Sequence, residues 1–99
     1  MRTLARISLD TEAANAAIKN GTLEKLIAST MEQLKPEAAY FFADGGKRTA
    51  SFIFDLKNSS DIPSIAEPWF MSVNASIEFI PVMNADDVKV GLEKAARNM

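Results

Sequence analysis

Two apolar runs flank a pair of adjacent glycines between Glu37 and Leu56, and few arrangements accommodate that pattern. The first run is Ala38–Ala43. The second is Arg48–Leu56, rich in aromatic and β-branched residues that suit a pleated surface. Asp44-Gly45-Gly46-Lys47 lies between them, and glycine takes positive φ without steric cost, so Gly45-Gly46 predicts a two-residue hairpin loop. That loop sets Phe41 opposite Ala50, Ala39 opposite Phe52 and Phe42 opposite Thr49. One face then carries Ala39, Phe41, Ala50, Phe52 and Phe54, a core face. The other carries Tyr40, Phe42, Thr49, Ser51, Ile53 and Asp55, which is mixed. The remaining segments are expected to cover these two faces.

Arg2–Leu9 alternates and predicts a first strand. Asp10 or Thr11 is suited to cap a short alanine-rich helix over Glu12–Lys19, and Asn20-Gly21 is a helix stop. Thr22 then predicts a second cap, followed by the stripe Leu23, Leu26, Ile27, Met31 and Leu34. Pro36 ends that helix and biases Lys35 towards an extended backbone. Beyond the hairpin, Pro63 fits the first turn of a helix carrying Ile62, Ile65, Ala66, Trp69, Phe70 and Val73. Pro68 lies inside that pattern and predicts a kink or a split near Ala66-Glu67. Ala75–Met83 predicts the fourth strand. Asn84 predicts the cap of a last helix with a narrow stripe of Val88, Leu92 and Ala95.

The order is β, α, β, β, α, β, α, with the first α region interrupted once, in one domain over residues 1–99. It predicts an α+β fold, the ferredoxin-like βαββαβ arrangement: a four-stranded antiparallel sheet with helices on one face, plus a C-terminal helix. The far face of that sheet would carry Leu4, Arg6, Tyr40, Phe42, Thr49, Ser51, Ile53, Glu78 and Ile80. That set is too apolar for water and too polar for an ordinary core, so a second sheet from a homodimer partner is the simplest cover.

Composition narrows the chemistry. The chain has 99 residues, no cysteine and no histidine. It therefore offers no thiolate nucleophile, no disulfide framework and no imidazole base or ligand. The formal charge of −2 argues against nucleic acid as a partner. No apolar run is long enough for a membrane span, and no signal-like segment opens the chain, so a cytoplasmic location is expected. Asp86-Asp87 fits helix capping rather than a calcium loop, and no metal site or cofactor is expected.

Three stretches carry a resemblance: Leu34–Phe41, Gly46–Ala50 and Asp61–Phe70. With the strand order, they make the chain similar to the dimeric α/β-barrel superfamily, in which two ferredoxin-like sheets pack face to face. It also resembles small bacterial proteins of unknown function and comparable length. The resemblance implies a sheet-to-sheet dimer and a chemistry drawn from cofactor-free oxygenation, isomerisation or simple binding. The haem-degrading members use a histidine ligand, which this chain lacks.

Candidate ligand-binding residues are Tyr40, Trp69, Asn74, Arg6 and Glu78. Trp69 suits the wall of a cavity with Tyr40 and Asn74 as polar handles, but its place on a helical stripe favours plain core packing. Arg6 and Glu78 belong on neighbouring strands, either as a paired structural couple or as a substrate-orienting arginine with its partner. Lys47-Arg48 reads as a solvated hairpin tip, and Glu67 as an exposed carboxylate. Two functions follow: a dimeric protein with a small-molecule site, for binding or cofactor-free catalysis, or a non-catalytic module whose sheet face only forms a dimer.

Overall fold

A computed structural model describes residues 1–99. The chain runs β1 (Arg2–Ser8), α1 (Thr11–Lys19), α2 (Thr22–Leu34), β2 (Ala38–Asp44), β3 (Lys47–Asp55), α3 (Ile62–Val73), β4 (Ser76–Pro81) and α4 (Ala85–Arg97). A short 3-10 turn at Ser59–Asp61 leads into α3. The fold is α+β: a single four-stranded antiparallel sheet in the order β2-β3-β1-β4, with four helices. No helix is long and apolar enough to cross a membrane.

Gly45 and Gly46 make the β2–β3 turn with φ of 61° and 78°. The pairing is Phe41 with Ala50, Ala39 with Phe52 and Phe42 with Thr49, as the two-residue loop requires. β1 pairs with β3 on one side and β4 on the other, placing Arg6 between Ser51 and Glu78. Alternation then decides the burial. Thr3, Ala5 and Ile7 of β1 are buried, whereas Leu4 and Arg6 are only half-buried.

The core lies between one sheet face and the layer formed by α1, α2 and α3. Ala5, Ile7, Ala50, Phe52 and Phe54 meet Ala14 and Ala17 of α1, Leu23 and Leu26 of α2, and Ile65, Trp69 and Val73 of α3. Phe52 sits at its centre, edge-on to Phe41 with ring centroids 5.8 Å apart and 6.4 Å from Trp69. Offset and edge arrangements of this kind add to the burial itself.

The local start and stop signals resolve in detail. Asp10 caps α1 by accepting from the Ala13 amide at 3.0 Å. Asn20 closes it, and Gly21 turns the chain at φ 81°. Only Asn20 and Gly21 separate the two helices, so Gly21 occupies the cap position of α2 and Thr22 becomes the first helical residue. The Thr22 amide is met instead by Asn20 Oδ1 at 2.9 Å. Lys35 departs from the extended conformation expected before proline. It is left-handed, at φ 44° and ψ 58°, and its amide reaches the Met31 carbonyl at 2.9 Å. Satisfying that orphan carbonyl offsets a backbone conformation that a β-carbon disfavours. α3 runs unbroken through Pro68, so there is no split. Packing of Ile65, Trp69 and Val73 on the sheet holds together a helix that lacks one backbone donor.

α4 departs most from the expectation that every segment covers the sheet. Its start is well made: Asn84 accepts from the Asp87 amide at 2.8 Å and Asp87 returns the favour to the Asn84 amide at 3.1 Å. Yet none of its residues is buried. The chain measures 55 × 27 × 18 Å with a Cα radius of gyration of 15.9 Å, against about 13 Å for a compact chain of this length.

Candidate functional site

Two surfaces carry the residues of interest, one on each side of the sheet. The first is the sheet face turned away from the helices. Tyr40, Phe42 and Ile80 are 62%, 39% and 38% exposed there. Arg6 lies at its centre. Its guanidinium carbon is 5.8 Å from the centroid of the Phe42 ring. The same guanidinium pairs with Asp44 at the end of β2, and its Nε is 3.9 Å from Glu78 on β4. The side chain therefore reaches from one edge strand towards the other. This is why Thr49 and Ser51, on the same face of β3, are buried although no second layer covers them.

That geometry limits the chemistry of Arg6. One cation between two carboxylates leaves the cluster at net negative charge. A guanidinium so engaged stacks on an aromatic ring and positions its neighbours. It is not free to receive an anionic substrate.

The second surface is an apolar cleft of about 220 Å³ at the hairpin end, between α2 and the sheet. Leu23, Ile27, Phe41, Phe42, Ala50 and Trp69 contribute to its lining, with Arg48 and Thr49 as its polar groups. Phe42 and Thr49 belong by strand alternation to the open face, so the cleft and the face share a border. A larger hollow of about 470 Å³ opens at the other end of the sheet, between α2 and α3. Its polar wall holds Lys35, Asp55 and Lys57 beside a short hydrogen-bonded chain in which Gln33 Nε2 donates to Ser64 Oγ at 3.2 Å and Ser64 Oγ donates to the Asp61 carbonyl at 2.8 Å. No group of acidic residues in the chain is arranged to hold a metal ion.

The five residues singled out from the sequence divide between the two sides. Tyr40, Arg6 and Glu78 lie on the open face. Trp69 is on the helix side and only 1% exposed. Its Nε1 donates to Thr30 Oγ1 at 3.0 Å, and Thr30 in turn donates to the Leu26 carbonyl at 2.8 Å. Asn74 is the left-handed cap that ends α3, at φ 46°. The structure thus brings together Arg6 and Glu78 as cross-strand partners, and it sets Tyr40 and Trp69 on opposite sides of the sheet.

Sequence reasoning missed Thr30, Asp44 and the α2 wall of the cleft. Thr30 carries a readable signal, a hydroxyl in step with Leu23, Leu26 and Ile27 on an apolar stripe. Asp44 carries none, because its approach to Arg6 runs diagonally across a twisted sheet.

A charged cluster closes the end of the sheet from which α4 departs. Arg2 Nε donates to Glu37 Oε1 at 2.6 Å and its NH1 to Asp87 Oδ2 at 3.2 Å. The hydrogen bond to Glu37, then the attraction of Glu37 and Asp87, holds the Arg2 guanidinium above its ordinary pKa. Asp55 accepts from the Met1 amine at 2.7 Å, which holds its carboxyl below the usual range. Comparison with protein-family models and with curated proteins finds no match for this chain.

Proposed function

We propose that this chain is a ferredoxin-like protomer of a dimeric α/β barrel that holds a small molecule in the apolar cleft at its hairpin end, for binding or for catalysis without a cofactor. The observation that carries the reading is the continuity of that cleft with the open sheet face through Phe42 and Thr49. A partner sheet on the open face would wall off one side of the cleft. The cleft alone, at about 220 Å³, falls below the roughly 300–1,000 Å³ of most small-molecule sites. Its occupant is therefore small, and the lining favours apolar or aromatic character. Arg48 is the one charged group of that lining.

Thermal-shift screening with small aromatic and aliphatic compounds tests this. A ligand at 100 times its Kd stabilises the native state by about 2.7 kcal/mol. Phe41→Ala should abolish the shift while leaving the chain folded. A shift that survives Phe41→Ala would place the ligand elsewhere.

One observation favours the second reading, a module whose sheet face only dimerises. Every buried side-chain polar atom already has a partner. Neither the Trp69 indole nor the Arg6 guanidinium is left directed at a ligand. A dimer that shifts with no compound in the screen would support that reading.

A further inference from the structure

α4 is a formed amphipathic helix with nothing against its apolar side. Ala85, Val88, Leu92 and Ala95 follow one another at spacings of three and four, and Leu92 is 65% exposed. Lys89, Glu93 and Arg97 run along the opposite side at four-residue intervals. An isolated helix of this length is marginal in water, and most helical stability comes from a packed apolar face. The capping box and the Arg2–Asp87 pair fix only its first turn.

The same chain leaves an apolar cleft open at the other end of the sheet. α4 departs beside Arg2, where β1 begins. The cleft lies by Leu9, Arg48 and Thr49, where β1 ends. β1 has seven residues, so the two sites are about 20 Å apart along the strand. A two-fold axis lying across the strands would set one protomer's hairpin end beside the root of the other's α4.

Area argues for the same occupant. Four strands about 4.8 Å apart and about 20 Å long give an open face of roughly 400 Å². Two such faces bury on the order of 800 Å² in total, the size of adventitious contacts, whereas stable interfaces bury about 1,200–2,000 Å². A helix about 20 Å long and about 10 Å wide, given by each protomer and received by the other, raises the total to about 1,600 Å².

We infer that α4 is an exchanged arm: it leaves its own protomer and seats Val88, Leu92 and Ala95 over the Phe41–Leu23 cleft of a second copy of this chain. The inference rests on the sheet-face pairing proposed above and deepens it. The candidate site is then incomplete in one protomer, because the partner's α4 forms its roof.

The chain has no cysteine of its own, which makes crosslinking clean. A Leu92→Cys chain is mixed with a Phe41→Cys chain under oxidising conditions, and Arg48→Cys at the same rim serves as a second variant. Exchange predicts a disulfide-linked heterodimer. It also predicts that Leu92→Glu, folded by circular dichroism, weakens dimerisation about 100-fold or more, the cost of losing one buried leucine at each of two seats. A dimer by light scattering with no heterodimer crosslink from either rim position overturns the arm and leaves the sheet-face pairing standing. An intramolecular bridge in the chain carrying both Leu92→Cys and Phe41→Cys likewise overturns the arm alone, whereas a monomer overturns both.

Discussion

Trp69 Nε1 donates to Thr30 Oγ1 at 3.0 Å in a site where both side chains are buried. This one bond ties α3 to α2 over the centre of the sheet. It also explains how a tryptophan is buried whole: its only polar atom has a partner. Thr30→Val should leave the indole donor buried and unmet, at a cost of about 1–3 kcal/mol. Trp69→Ala should cost about 3–5 kcal/mol through lost burial and the cavity left behind. Urea denaturation of the two single variants measures both, and acrylamide should quench native Trp69 poorly. A neutral Thr30→Val would show that the bond contributes nothing.

The turn can be tested separately. Gly45 and Gly46 both have positive φ, and nothing lies within 4 Å of a β-carbon built on either. Substitution there is therefore penalised by backbone conformation alone. Gly46→Val should lose at least about 1–2 kcal/mol, whereas Lys47→Ala, at an exposed position, should stay within about 0.5 kcal/mol. Equal denaturation midpoints would contradict the turn geometry.

Lys35 provides the converse experiment. Its left-handed backbone ends α2 at a position where glycine is at no steric disadvantage. Lys35→Gly should stabilise the chain by a few tenths to about 1 kcal/mol, the relief of strain less the added entropy of the unfolded chain. A loss of stability would mean that the lysine side chain contributes more than its backbone costs.

These three sites show how much of the molecule is legible in the residues. The hairpin register follows from two glycines and strict alternation, both local signals. The α1–α2 break follows from Asn20-Gly21 in the same way. Lys35 is not legible in the same way, because the rule for residues before proline competes with the unmet carbonyl at a helix end, and only the fold shows which prevails. The stripe on α4 is plain, but none of its residues is buried within the chain, so amphipathicity alone does not say where it packs. Arg6 and Glu78 were legible as cross-strand neighbours. Asp44 was not, since sheet twist brings it within reach.

Asp55 makes a pH-dependent contribution of definite sign. Its carboxyl is held below the ordinary range, first by the hydrogen bond from the Met1 amine and then by attraction to that amine. A carboxylate lowered on folding stabilises the native state above its unfolded pKa of about 3.9, and that contribution is lost as pH falls through the lower folded value. Both groups are exposed, so the effect is small and screened by salt. Urea midpoints of the parent chain and Asp55→Asn should differ at pH 6, converge in acid once pH has fallen below the lowered folded value, and converge at pH 6 in 1 M salt, where the screening length is about 3 Å. A difference constant with pH would contradict the assignment.

The central claim is that the sheet face bearing Tyr40, Phe42 and Ile80 around Arg6 pairs with a second copy. Sedimentation velocity in the micromolar range tests it most directly. The account predicts a single species of twice the 10.8 kDa chain mass, shifted towards monomer by Phe42→Asp, which places a charge on that face. A 10.8 kDa monomer throughout that range, with the parent chain folded, would contradict it.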